Sequence, residues 1–185
     1  MNELNEKRKK MAEFKAAQQH VISNEGGYCN VDGDNGGETY FGLSRKFNPN
    51  WAGWAIVDSH KPLHYNEVIK DDNLTSLVNQ YYKRMYWDKI LADGIDSQPL
   101  AAYLYDFHVN AGSNAVKCVQ RVVGAEPDGM FGNDTLHAVN SYTGDLLAAL
   151  HKSRCEYYNK IATGGNAKFL KGWLARANKM YQLLS

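Results

Sequence analysis

The chain has 185 residues, 44% of them apolar and 22% charged, with a formal net charge of +1. That length suits one domain, or a domain with a small appendage, and allows a substantial core. The near-neutral balance gives no broad electrostatic case for nucleic acid or a membrane surface, and no apolar run approaches the roughly 18 residues of a membrane span.

The opening MNELNEKRKK is polar with four basic residues in a row. It reads as a solvated helix end or tail and lacks the apolar core of a signal peptide. Residues 5–24 then place Phe14, Ala17, Val21 and Ile22 at helical spacing. They predict a helix that stops near Asn24, just before Gly26-Gly27. Glu25 falls at its C-terminal end, where a carboxylate meets the negative end of the helix dipole. A purely structural choice there would favour Lys or Gly.

Residues 26–44 have no helical period. Val31, Thr39, Tyr40 and Phe41 suit short strands of an irregular hairpin, with turns at Asp32-Gly33 and Asn35-Gly36. A short helix is expected within 48–58. A longer one is expected over 66–87 through Val68, Ile69, Leu74, Leu77, Val78, Tyr81, Tyr82 and Met85, with a break near Asp71-Asp72. Pro99 starts the next, which carries Leu100, Tyr103, Leu104 and Phe107 on one face and ends near Gly112. Ser113 is expected to cap a helix through Val116, Val119 and Val123 to Gly124. Further helices are expected at 132–141, 145–161 and 167–184. The fold class is therefore mainly α, with one small loop or β-hairpin near the N-terminus.

The stretch NEGGYCNVDGDNGGETYFG at 24–42 carries the chemistry. Glycoside hydrolysis commonly uses two carboxyls, one protonating the leaving oxygen and the other acting as base or nucleophile. Glu25 ends a helix and Asp34 follows nine residues later, inside a loop long enough to fold back across a cleft. Thr39 comes five residues after Asp34, and its hydroxyl can orient a water. Gly26, Gly27, Gly36, Gly37 and Gly42 allow a tight backbone path with room for a sugar ring. Asp32 is a rival to Asp34, and Glu25 also reads as a helix-end surface charge.

EGGYCNVDGDNGGETYFGLS resembles the signature of the glycoside hydrolase 108 family, bacterial and phage N-acetylmuramidases. The matching positions are Glu25, Gly26, Gly27, Tyr28, Asn30, Asp34, Gly36, Gly37, Thr39, Phe41, Gly42, Leu43 and Ser44. YYKRMYWDKI at 81–90 and YDFHVNAG at 105–112 resemble later family segments. VQRVVGAEPDGMFGNDTLHAV at 119–139 resembles the peptidoglycan-binding-like region that usually follows, and FLKGWLARANKM at 169–180 the closing Gly-Trp segment. Cys29 stands where the family usually has an apolar residue, and Glu38 where it has a small one.

The resemblance implies a lysozyme-like helical fold in which the hairpin forms one wall of the cleft. It implies a catalytic region at 9–98 and a peptidoglycan-binding-like region at 99–182, packed as one compact domain. It makes Glu25 the general acid. By analogy with phage-type lysozymes, Asp34 becomes the base or electrostatic partner and Thr39 the holder of the water. The expected substrate is the glycan strand of peptidoglycan, with no metal or organic cofactor, no nucleic acid, no stable membrane insertion and a monomeric state. Synthesis in the bacterial cytoplasm, then action on the wall after release or export by another system, completes the expectation. Tyr28, Tyr40, Asn110 and Trp87 are the groove candidates. Tyr28 equally suits packing, Trp87 suits the core better than the groove, Asn110 equally suits a helix cap, and Asp106 reads as structural.

Competing readings are weaker. An EF-hand loop from Asp32 would need a bidentate Glu where Leu43 stands. His60 and His64 are separated by Pro62, which disfavours the helix a zinc pair would use. Cys29, Cys118 and Cys155 are an odd number at wide spacing, which argues for reduced thiols rather than a disulfide framework. Cys29 with a histidine would make a cysteine peptidase. A non-catalytic peptidoglycan-binding or secretion-associated protein is the main alternative to the hydrolase.

Overall fold

A computed structural model describes residues 12–31 and 37–185. The expected turns at Asp32-Gly33 and Asn35-Gly36, and the part of the helix expected over 5–24 that precedes residue 12, lie outside them. The described residues form eight α-helices and one small antiparallel sheet, so the fold is mainly α. The chain divides into two units. One is Gln18–Arg84; the other joins the described residues up to Ala17 to Met85–Ser185.

Helix α1 runs Phe14–Ile22, with Ala17 and Val21 fully buried, as their spacing predicts. It is followed by three two-residue strands: β1 (Tyr28–Cys29), β2 (Thr39–Tyr40) and β3 (Leu43–Ser44), in the order β1-β2-β3. Tyr28 pairs with Tyr40, and Tyr40 with Leu43. Helix α2 spans Gly53–Ser59 and α3 spans Asp72–Tyr82.

The helix expected from residue 66 begins only at Asp72. Residues 66 and 67 are committed elsewhere: Asn66 N–H donates to the Tyr28 carbonyl at 2.7 Å, and Tyr28 N–H donates to the Glu67 carbonyl at 2.9 Å. Asn66 has φ +64°, which ends any regular helix. The carboxylate of Asp71 then accepts from Leu74 N–H at 2.7 Å and caps α3. After Tyr82 the chain widens into a π turn (Lys83–Trp87) and two short 3-10 turns.

In the larger unit, α4 (Gln98–Ala111) carries an unbroken buried run from Leu100 to Phe107. A helix apolar almost all round must be surrounded, and α5 (Ser113–Val123), α7 (Leu146–Ile161) and α8 (Leu170–Leu184) pack on it. Helix α6 spans Asn133–Asn140 and packs on α5. Fully burying an apolar side chain of this kind contributes about 1.5–3 kcal/mol. The carboxylate of Asp145 caps α7 by accepting from Ala148 N–H at 2.9 Å. Ser113 does not cap α5. It is the first helical residue, and the cap position is Gly112, where φ is +56°.

One charged cluster is buried in this core. Asp106 and Arg154 are both fully enclosed and lie 2.7 Å apart, and Arg176 donates to the other Asp106 oxygen at 2.9 Å. The guanidinium of Arg154 is stacked among the rings of Tyr103, Phe107 and Tyr158. Burial alone would favour loss of its proton, but Asp106 and the neighbouring phenols outweigh that and hold it more firmly charged than a free arginine. Asp106 is thus a structural residue, enclosed and paired within the core, as its sequence reading expects.

Candidate active site

The end of α1 is closed by local hydrogen bonds. Ser23 Oγ and Asn24 Nδ2 donate to the His20 carbonyl, and the N–H groups of Asn24 and Glu25 donate to Val21 and Ile22. These bonds satisfy carbonyls that a helix end otherwise leaves open. Glu25 leaves this turn half-buried.

Its carboxylate lies against the turn between β2 and β3. Phe41 (φ +46°) and Gly42 (φ +72°) form a two-residue turn with both residues left-handed, the type that matches the twist of a tight hairpin. A Cβ placed on Gly42 would stand 3.2 Å from Glu25 Oε2 and 3.3 Å from the Tyr82 hydroxyl oxygen. The acid and the phenol therefore converge on one bare Cα. Tyr82 donates to the Phe41 carbonyl at 2.8 Å, and Phe41 N–H donates to the Gly27 carbonyl at 3.2 Å.

Gly27, the second glycine after Glu25, serves backbone packing, not the space for a sugar that the sequence reading gives it. A Cβ on Gly27 would fall 2.3 Å from the Glu67 carbonyl oxygen, inside any permitted contact. The Asn66 side-chain oxygen accepts from Gly27 N–H at 2.8 Å. The 66–67 segment thus lies directly on the Gly26-Gly27 backbone and fixes where Glu25 emerges.

Glu38, which the sequence marks only as a departure, is the hub of a charged network. It accepts from Tyr28 Oη at 3.0 Å, and pairs with Arg45 at 2.8 Å and Lys61 at 2.6 Å. Arg45 and Lys61 both also reach Asp58, at 2.7 and 2.8 Å. The Arg45 guanidinium lies over the Trp54 ring. Burial, then the bond to Glu38, raise the Tyr28 phenol above its ordinary value. Hydrogen bonds from Arg45 and Lys61 pull Asp58 down to about 2. The network ties the hairpin to α2 and to the residues that follow it.

The predicted site residues therefore separate. Glu25, Tyr28, Thr39 and Tyr40 belong to the unit Gln18–Arg84, with Thr39 half-buried on β2. Asp34 and its rival Asp32 lie outside the described residues, as do the first five residues, 32–36, of the loop weighed for calcium. Tyr40 is 1% exposed, and its hydroxyl accepts from Ile69 N–H at 3.1 Å. It is a core residue and offers no face to a sugar. Trp87 has no exposed surface: its ring lies between Phe14 and Tyr105, and its indole N–H donates to Asp93. Its groove reading is replaced by the core one. Asn110 is exposed in the larger unit, and its Oδ1 accepts from Tyr158 Oη at 2.8 Å. Sequence reasoning missed Tyr82 as part of the site because it reads as one more apolar position on a helical face.

Burial raises the thiols of Cys118 and Cys155, which disfavours the nucleophilic thiolate at either. Among the described residues, no three metal-ligating side chains gather, and no helix is long and apolar enough to cross a membrane.

Comparison with known proteins places this geometry in context. The family model described as glycosyl hydrolase 108 matches residues 18–112, and one described as a predicted peptidoglycan domain matches 114–178. A solved structure, "Structure of Brucella abortus SagA", is similar at 27% identity with a TM-score of 0.67, covering 92% of each chain. No curated protein matches. The chain belongs to the glycosyl hydrolase 108 family, and its function is peptidoglycan-related.

Proposed function

We propose that the chain is an N-acetylmuramidase that hydrolyses the β-1,4 bond between N-acetylmuramic acid and N-acetylglucosamine in peptidoglycan. The observation that carries this reading is the placement of Glu25. A carboxylate at the disfavoured end of a helix is held half-buried against the backbone of a left-handed turn. That placement aims a carboxyl at one fixed position beside the turn, as a general acid in glycoside hydrolysis requires.

In the proposed reaction, Glu25 donates its proton to the glycosidic oxygen as the bond to the departing sugar breaks. Thr39, with Asp34, positions and activates the water that attacks the anomeric carbon. A base separated from the acid by about 6.5–9.5 Å gives inversion, and a nucleophile at about 5–5.5 Å gives retention. No metal or organic cofactor enters these steps. The match of 114–178 to a peptidoglycan domain supports a wall substrate and fits an intact glycan strand better than a small soluble sugar.

The test is digestion of purified peptidoglycan, with identification of the sugar at each new reducing end. Muramic acid at those ends supports the proposal, and glucosamine ends would give the hydrolase a different bond specificity. Wall binding with no release of reducing ends would favour a non-catalytic peptidoglycan-binding or secretion-associated role.

A further inference from the structure

The turn beside Glu25 carries an unusual residue. Hairpin turns with both central residues left-handed are dominated by Asn-Gly and Asp-Gly pairs, since a bulky side chain crowds the backbone there. Here the first residue is Phe41, at φ +46°. A residue held in a disfavoured conformation persists only where its surroundings over-determine it. Two bonds do so: Tyr82 Oη to the Phe41 carbonyl at 2.8 Å, and Phe41 N–H to the Gly27 carbonyl at 3.2 Å. The Phe41 ring also meets Tyr40 edge-on.

Tyr82 is suited to the task. It is 3% exposed and ends α3, so a packed helix fixes the position of its phenol. Phenylalanine at this position would keep the ring and remove only the hydroxyl that bonds to the turn. That hydroxyl also stands at the same bare Gly42 Cα as Glu25 Oε2.

We propose that Tyr82 is a positioning residue for Glu25, acting through the Phe41–Gly42 turn. The inference rests on Glu25 being the general acid. Without the tether, the turn is free to leave the left-handed pair of conformations, and the peptide surface against which the carboxylate rests shifts. Misplacement of a reacting group by about 1 Å can cost about a hundredfold in rate.

The experiment is a double-mutant cycle on peptidoglycan digestion, comparing wild type, Tyr82→Phe, Phe41→Asn and the double variant, with Glu25→Gln alongside. Tyr82→Phe is expected to lower kcat by about tenfold to a hundredfold while KM changes little. Asparagine adopts the left-handed region readily. In the Phe41→Asn background, therefore, the hydroxyl matters less, and the loss on Tyr82→Phe should shrink several-fold. A purely structural role would reduce the folded fraction without splitting kcat from KM, and asparagine at 41 would not compensate. If Tyr82→Phe alone fails to fold, the double variant still decides: kcat close to that of Phe41→Asn supports the inference, and a large loss overturns it. Wild-type kcat in Tyr82→Phe, with Glu25→Gln inactive, overturns the inference and leaves the muramidase reading standing. Full activity in Glu25→Gln, or no release by wild type, overturns both.

Discussion

The Glu25 carboxylate rests against the α-carbon of Gly42, so closely that a methyl there would come within 3.2 Å of Oε2. Gly42→Ala is therefore expected to act twice. Its φ of +72° makes any β-carbon costly, by about 1–2 kcal/mol. The same methyl also pushes on the acid. Urea unfolding should show that loss, and turnover per folded molecule should fall as well. A variant with wild-type stability would contradict the left-handed turn.

Gly26 and Gly27 differ sharply despite being neighbours. A methyl on Gly26 meets only the Asn66 side-chain oxygen, at 2.9 Å, a side-chain atom that can shift at the expense of its bond to Gly27 N–H. A methyl on Gly27 meets the backbone of Asn66 and Glu67, which cannot move without breaking the bonds to Tyr28. Gly27→Ala should cost about 1–3 kcal/mol, as overpacking typically does, and Gly26→Ala clearly less. Equal effects in parallel urea melts would count against the close approach of the 66–67 segment.

Asp58 provides a pH test. Its folded pKa of about 2 lies below its ordinary value of 3.8, because Arg45 and Lys61 hydrogen-bond to the carboxylate. A depressed carboxylate pKa stabilises the fold above the unfolded value, and that contribution is lost as pH falls through the folded one. The network should therefore loosen between about pH 4 and pH 2. A carbon-detected NMR titration should place the Asp58 midpoint near 2, and Arg45→Met should move it toward 3.8. A midpoint already at 3.8 in the wild type would remove the network.

The buried cluster around Asp106 sets a stability contrast. Asp106→Asn removes the only acidic side chain paired with Arg154 among the described residues, leaving a fully enclosed positive charge. Breaking such a pair on one side typically costs about 3–5 kcal/mol. Arg176→Met leaves Asp106 and Arg154 together and should cost less. Chemical denaturation of the two variants decides the order, and equal losses would mean that Arg154 does not depend on Asp106.

Much of this was legible in sequence, for physical reasons that differ from residue to residue. The 3.6-residue spacing of Phe14, Ala17 and Val21 revealed α1, and the glycine pair marked where it stops. Glu25 was visible because a carboxylate at that helix end is otherwise a poor choice. The start of α3 was misplaced because Val68 and Ile69 carry apolar character without the backbone freedom to be helical. Their neighbours are bonded to Tyr28, a partner about forty residues away that no local pattern reveals. Aromatic residues misled for a related reason. Tyr40 and Trp87 have the composition of a sugar groove, but exposure depends on tertiary packing, and both are enclosed. Arg154 is the converse: an arginine is rarely enclosed unless paired, and only the placement of Asp106 and three aromatic rings allows it inside.

The central claim is that Glu25 supplies the proton to the leaving sugar. The most direct measurement is release of muramic-acid reducing ends from purified peptidoglycan by wild type and Glu25→Gln, each first shown to unfold at the same urea concentration. Loss of a positioned general acid costs about 10²–10⁴ in rate, so rapid release by the wild type and almost none by the variant are expected, with wall binding retained in both. Equal release by the two proteins, or none from either, would contradict the claim.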